Sequence, residues 1–596
     1  MLENTTKLPE WDLSDLYDKP NSNAFEKDFE LLKSLIDEFE KEYKDKILVD
    51  VNHIDLASKK IKKSIIAYEK IINLIGKLSA FATLHHVTAT NDALRTKFYG
   101  DTQARITDIA NKIIFYELEL NKISDHIYKD LLNTELLIPY KTWFDNVRKY
   151  KPHQLTDEIE QIFQEKSITS FSAWNRLFDQ TISNMKVNLN GEEKSLEEAL
   201  NKLLSSSEED RKTAFLAVTK KLEDNASLFT HIMNTICQDK SISDKWRKYD
   251  YSEQSRHLAN NIEENVVNAL VNAVENSYEE TSHRYYKLKS KILGKEFLES
   301  WDRNAPLPDS NVEEINWNDA KDIVIGAYEE FSPDIANIVK DFFDKNWIDA
   351  KISDGKVTGA FAHPVTTDTH PYILMNYQGK PRDVMTLAHE LGHGVHQVLS
   401  SNLGPLLSDT PLTLAETASV FGEMLTYKKL MSNISNDFDK KVLLASKIED
   451  MINTVVRQIS FYKFEQIVHK TRKQGELTTE DLNSIWIDTQ SKSLGPAIRL
   501  HENHKFLWSY IPHFIHSPFY VYAYAFGDCL VNSLYAVYEN DKSDFVTKYI
   551  QLLSSGGSKH HSDLLAPFNL DATNPEFWNT GISLISGMIG ELEEMN

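Results

Sequence analysis

The stretch from Pro381 to Leu399, PRDVMTLAHELGHGVHQVL, constrains the fold more than any other part of the chain. At about 100° per residue, Val384, Leu387, Ala388, Leu391, Val395 and Val398 fall on one apolar stripe, so the period is helical. His389 and His393 project from the opposite side, four residues apart, with Glu390 beside them. A helix with a core-facing stripe and a second interior face is buried on both. The pattern is H-E-x-x-H. Two imidazoles one turn apart can hold one Zn²⁺, and the glutamate between them is placed as a general base. A five-residue pattern also arises by chance, so its surroundings decide.

Before it, Pro371–Tyr377 (PYILMNY) reads as an extended segment and Gln378-Gly379-Lys380-Pro381 as a turn. Pro381 and Asp383 suit a helix N-terminus. Strand, turn and HExxH helix is the arrangement a zinc peptidase needs. The strand edge at Tyr372–Tyr377 can pair with an extended peptide while the helix holds the metal at the scissile bond. A catalytic zinc takes three protein ligands and keeps a fourth position open. Position 399 is Leu, which excludes the pattern with a third histidine ten residues after the first. His396 lies about 10 Å beyond His389 along the axis, so it is expected to pack or support rather than ligate. The expected third ligand is Glu416 in LAETAS (414–419), on an antiparallel helix that follows the Ser-, Gly- and Pro-rich loop 400–411. Glu423, seven residues on, shares its face and is expected to orient a ligand.

A second stretch, Trp508 to Gly527, is crowded with aromatic residues. Such runs usually pack a core. Yet Tyr520 and Tyr524 are spaced for one helix face, and His513 sits on a Pro-flanked loop before them. Phenol and imidazole groups can donate to a carbonyl oxygen that turns anionic during amide hydrolysis.

HELGH (389–393) with AETAS (415–419) resembles the zinc site of the thimet-oligopeptidase-like metallopeptidases, specifically the oligoendopeptidase F family. WDLSDLY (11–17), WDRNAP (301–306), GAF (359–361) with PYIL (371–374), and IPHF (511–514) with PFYVY (518–522) carry the likeness along nearly the whole chain. The resemblance implies endopeptidase action on short peptides rather than folded proteins. It implies one Zn²⁺ per chain on His389, His393 and Glu416, with Glu390 as base. It also implies that a His and a Tyr of the second run serve the oxyanion: His513 and Tyr520 or Tyr524, with Tyr522 still open. Gly359 and Tyr372 are the expected substrate-binding positions. Two other readings stay open, a related zinc carboxypeptidase and a non-catalytic peptide-binding protein on the same scaffold.

Composition narrows the partners. With 89 Asp+Glu against 66 Lys+Arg, the formal charge is −23, which argues against nucleic acid or an anionic membrane. Cys237 and Cys529 are the only cysteines, so neither a disulfide framework nor a Cys metal site is expected. No window of about 18 apolar residues offers a membrane span, and the first residues lack a signal-peptide pattern. A cytoplasmic protein is expected. At 596 residues the chain exceeds a single core. The expected fold is mainly α: two helical lobes enclosing a deep channel, with a small β-sheet beside the HExxH helix. An Asn190-Gly191 hairpin signal sets the expected division into an N-terminal helical lobe, 1–195, and a catalytic domain, 196–596. Helices are expected over 23–47, 54–84, 94–121, 196–247, 260–293, 412–431, 438–474 and 479–492. Residues 301–308 should form an irregular linker, 350–379 the strand-rich part, and Gly556-Gly557 a plain loop. His85 and His86 diverge on their helix and read as structural. His363 and His370 are weaker candidates for touching substrate.

Overall fold

A computed structural model describes residues 8–49, 51–307 and 314–596. Pro308, the end of the expected linker, lies outside them. The protein is 71% helical with only short strands, as its 3.6-residue periodicities require. It divides into two compact units, each assembled from three segments. The first comprises Met1–Lys151, Val312–Asn433 and Asn540–Asn569; the second comprises Pro152–Asn311, Ile434–Glu539 and Leu570–Asn596. Position 195/196 falls inside the second unit, where the strand Glu192–Ser195 runs directly into the helix Leu196–Asn201. The hairpin before it turns at Asn190 and Gly191, both at positive φ (55° and 93°), the combination a type I′ turn demands.

In the first unit, helices Asn23–Tyr43, Ile54–Val87 and Ala93–Ala110 pack side by side. Tyr17, Phe25, Phe81 and Phe98 form an aromatic core between them, with Phe25 and Phe98 centred 5.2 Å apart. His85 stacks on Phe81 and His86 on Tyr99, so both serve packing. The helix expected to run on to 121 breaks at Ala110 into a 3₁₀ turn and resumes at Phe115.

The sheet beside the HExxH helix is three-stranded, in the order Ile348–Asp349, Tyr372–Leu374, Phe361–His363. Tyr372–Leu374 is therefore central, parallel to one neighbour and antiparallel to the other. This corrects the expectation of a free edge at Tyr372–Tyr377: the edges are Ile348–Asp349 and Phe361–His363, and the second of these is the edge strand beside the HExxH helix. The continuous run YIL explains the difference, because all three side chains are buried and a fully buried strand sits inside a sheet rather than at its rim.

The helix Pro381–Ser400 opens as its sequence dictates. Asp383 Oδ2 accepts the backbone N–H groups of Gln378 (2.8 Å) and Lys380 (3.0 Å), and Pro381 occupies the first turn, where no N–H is needed. Val384, Leu387, Ala388, Leu391 and Val395 are fully buried. The helix Leu412–Asn433 packs along it through glycines. A Cβ at Gly392 would collide with the backbone of Ala418 and Ser419, and one at Gly422 with the Tyr328 hydroxyl. That hydroxyl donates to the Ala388 carbonyl at 2.9 Å.

The second unit is built from helices including Glu208–Asp224, Ala226–Arg247, Glu264–Asn276, Thr479–Leu494, Tyr522–Asn540 and Pro575–Glu594. The single helix expected over 438–474 is two, Asp437–Ile452 and Gln458–Arg472, joined by a π-helical turn at Asn453–Arg457. The segment after Ser300 is more ordered than a linker: Asp302 is fully buried, held by Arg211 at 2.7 Å and Lys295 at 2.6 Å.

Candidate active site

The HExxH helix and its partner bring the expected ligands together in the first unit. His389 Nε2 and His393 Nε2 lie 3.4 and 3.5 Å from the same oxygen, Glu416 Oε2. One ligand atom from each residue lies within 4.8 Å of the others. Donors each ~2.1 Å from one tetrahedral ion stand about 3.4 Å apart, so the spacing fits a single Zn²⁺. His389 Nδ1 faces Glu423 Oε2 at 3.3 Å, which directs Nε2 toward the shared point. Ser419 Oγ donates to Glu416 Oε2 at 2.7 Å. The close approach at Gly392 and Gly422 is what allows carboxylates from the second helix to reach imidazoles on the first.

Charge makes the same case. Three carboxylates, those of Glu390, Glu416 and Glu423, converge on two imidazoles. Burial pushes His389 down, but its bond to Glu423 and the charges of Glu416, Glu390 and Glu423 outweigh that and raise it to about 9. Burial, reinforced by Glu416, raises Glu390 to about 7 against the pull of His389 and the Ala362 N–H. Burial holds His393 down near 4 despite Glu416. For Glu416 burial acts upward, yet His393, His389 and the Ser419 hydroxyl prevail and lower it. Such a cluster of acids wants a cation among them, and the donor set of two imidazoles and one carboxylate suits zinc.

The edge strand lies along the same helix. Ala362 gives its N–H to Glu390 and its carbonyl faces Gln397 Nε2 at 3.5 Å. Gly359, at φ +85°, is exposed just before this strand. Tyr372 is fully buried and its hydroxyl donates to the Asp12 carbonyl at 2.8 Å. His363 accepts the Val365 N–H at 3.0 Å. His370 is stacked on Trp347 at 3.8 Å and bonded to Asp15, a packing arrangement. His396 is buried outside the ligand cluster, its Nε2 3.3 Å from Thr410 Oγ1.

His513, Tyr520 and Tyr524 gather in the second unit. His513 Nε2 is 3.2 Å from the Tyr524 hydroxyl, and its ring stacks against Tyr520 at 6.0 Å. Tyr520 and Tyr524 meet edge to face at 5.3 Å. Burial, with the nearby charge of Arg457 and then His516, holds His513 below its ordinary value, hence neutral. His513 opens a one-turn helix, and the long helix starts only at Tyr522. Tyr520 therefore precedes the helix it was expected to share with Tyr524. Phe519 is the cause: its φ of +61° is a left-handed conformation that bulky residues adopt at a cost of order 1–3 kcal/mol. Glu465 Oε1 holds it by accepting the Phe519 N–H at 2.8 Å, and Arg256 Nε donates to the Pro518 carbonyl. Tyr522 is fully buried, its hydroxyl accepting from Asn260 Nδ2 at 2.8 Å.

Sequence reasoning missed Ser419, Ala362, Arg256 and Glu465. Ser419 was within reach, since it lies one turn after Glu416. Gly556-Gly557 is also more than a plain loop, because the Gly557 N–H bonds the Leu407 carbonyl at 2.8 Å and side chains there would strike residues 407–409.

Residues 202–584 match the sequence model of Peptidase family M3, and residues 119–186 match that of Oligopeptidase F. The chain is 27% identical to Oligopeptidase PepF of Bacillus subtilis, over 98% of this chain and 87% of that one. It is 25% identical to an oligoendopeptidase F homolog of Borreliella burgdorferi, over 98% of each. The crystal structure of oligoendopeptidase-F from Enterococcus faecium superposes with a TM-score of 0.70 at 20% identity, covering 96% of this chain and 98% of that one.

Proposed function

The chain belongs to peptidase family M3, and from that premise we propose that it is a zinc-dependent endopeptidase acting on short peptides. The observation that carries the reading is the convergence of His389 Nε2 and His393 Nε2 on one Glu416 oxygen, at 3.4 and 3.5 Å. His389, His393 and Glu416 would hold one Zn²⁺, and Glu423 would fix the His389 ring. Bound there, zinc supplies Lewis acidity, lowering the pKa of water and polarising a peptide carbonyl. Glu390 takes the proton from the attacking water and delivers it to the leaving amine. Its raised value, about 7, suits a group that both accepts and donates near neutrality. His513 and Tyr520 or Tyr524 donate to the carbonyl oxygen as it becomes anionic. Tyr522, fully buried and bonded to Asn260, is the weakest of the three tyrosines for that role. An extended peptide is bound along the edge strand Phe361–His363 by backbone pairing, with Gly359 beside it. Tyr372 then supports the sheet from within, since its side chain is closed off.

The test is removal of the metal. A chelator should abolish cleavage of a blocked peptide at an internal bond, and stoichiometric Zn²⁺ should restore it. Cleavage that survives full metal removal defeats the reading. Cleavage only of peptides with a free C-terminus would assign a carboxypeptidase instead. No helix among the described residues is long and apolar enough to cross a membrane.

A further inference from the structure

The second unit contains a cavity of about 210 Å³, lined by residues on the chain that leads to His513 and by Trp301, Arg303, Arg457, His504 and Tyr510. No carboxylate lines it. Neither Arg303 nor Arg457 makes an ion pair among the described residues. The acids nearby are already engaged, Asp302 by Arg211 and Lys295, and Glu449 by Lys289 at 2.5 Å. Three buried nitrogens have no acceptor: Trp301 Nε1, Arg457 Nε and His504 Nδ1. Arg457 closes the π-helical turn Asn453–Arg457, a local distortion that proteins place at functional sites.

The electrostatics are those of a site left open. Burial and the charge of Arg303 depress Arg457 to about 10. Burial, then Arg303 and Arg457, push His504 down to about 3, so it is neutral. Two like charges thus share a pocket, without a counter-charge, in a chain of net charge −23. Trp301 and His504 are buried while Arg303 and Arg457 are half-buried. Unpaired charge in such a wall is costly, since neutral side chains would pack there with less desolvation. Orphaned donors are rare in native interiors for the same reason.

We propose that this cavity is an anion site, taking one carboxylate-sized anion between Arg303 and Arg457 with the Trp301 N–H donating to it. Arg457 already donates to the Tyr510 hydroxyl, but its Nε has no partner, and the planar guanidinium fork matches a carboxylate. Phe215, Val218 and Leu507 supply an apolar wall for whatever group bears the charge. The anion can be the carboxylate of a peptide ligand, in which case the inference rests on the function proposed above, or a free monovalent anion such as chloride.

The full chain is melted in millimolar acetate, chloride or neutral acetamide at fixed ionic strength, alongside Arg303→Gln and Arg457→Gln. Acetate should raise the Tm of the parent and acetamide should not. Both variants should lose the response, yet melt no lower than the parent without anion, because each removes one of two repelling charges. A structural role for the arginines gives the opposite, a lower Tm without anion and an unchanged acetate response, and overturns the site. If those variants do not fold, Trp301→Phe removes one donor and no charge, and should shift the acetate midpoint about tenfold. Binding of one peptide, as free acid and as C-terminal amide, to Glu390→Gln separates the sources. A roughly tenfold preference for the free acid, competed by acetate, assigns the peptide carboxylate. Equal affinities with an intact acetate response assign a free anion. Equal affinities with no response to acetate or chloride reject the proposal. The melting readout involves neither turnover nor metal, so its failure is distinct from failure of the peptidase reading.

Discussion

The two groups of chemistry-bearing residues are built in opposite ways. At HExxH and AETAS, titratable groups are crowded together: three carboxyl groups and two imidazoles are set by helical spacing on two helices whose glycines let them touch. At His513–Tyr524 the groups are neutral, and their placement depends on one strained residue, Phe519 at φ +61°, and on Glu465, bonded to it from 54 positions earlier in the chain. The first arrangement is fixed by local periodicity. The second is fixed by a distant buried carboxyl. One therefore tolerates changes outside its own two helices, while the other is exposed to changes far from the residues that act.

The sharpest break between them is metal. Glu390→Gln should keep about one metal per chain and lose turnover by more than ~10³-fold, since it removes the base and no ligand. His393→Ala and Glu416→Ala should lose the metal as well, checked by elemental analysis. Full zinc in Glu416→Ala would remove that ligand. Next in size, Tyr520→Phe or Tyr524→Phe should lower kcat by ~10²–10³-fold with metal content unchanged. Tyr522→Phe should leave kcat near normal and cost about 1 kcal/mol of stability through its bond to Asn260. If all three keep their kcat, the aromatic run is packing alone. Smaller still, Glu423→Gln should weaken metal affinity by about 10–100-fold, measured by competition with a chromophoric chelator. An unchanged affinity would mean that Glu423 does not hold the His389 ring.

The same contrast explains what was legible. The mainly α fold follows from periodicity, and so do the two pairings 389 with 393 and 416 with 423, because each pair stands at a helical interval on its own segment. The strand edge did not follow. PYILMNY announces a strand, but only the pairing of Tyr372–Leu374 with two neighbours decides that it is central. Likewise 520 and 524 have helical spacing, and nothing in FYVYAY signals that Phe519 turns left-handed and delays the helix to Tyr522. Such a conformation is imposed by tertiary contacts, and Glu465 is too distant in sequence for a local pattern to reveal it. The π-helical turn at Asn453–Arg457 is hidden for the same reason, since the apolar pattern runs on through it.

The last and smallest effect tests how the second region is held. Glu465 is buried with Oε2 unpartnered. Burial raises its carboxyl to about 8, against the Phe519 N–H and the charges of Arg256 and Lys240, with Glu253 adding to the rise. Its folded-state value lies above the ordinary 4.5. The stability it contributes is therefore full below about pH 4.5 and is lost as pH rises through about 8. Gln at this position keeps an acceptor for the Phe519 N–H and cannot ionise. Glu465→Gln should match the parent in acid and exceed it by on the order of 2–4 kcal/mol above pH 8, read from denaturant melts across that window. Ionisation strengthens the bond from the Phe519 N–H, which favours the charged form. But it leaves a buried charge beside the segment that carries Tyr520, the next residue. The parent should then lose kcat above pH 8 with KM little changed, and the variant should not. Parallel stability curves for the two proteins would show that the fold does not shift the titration of Glu465.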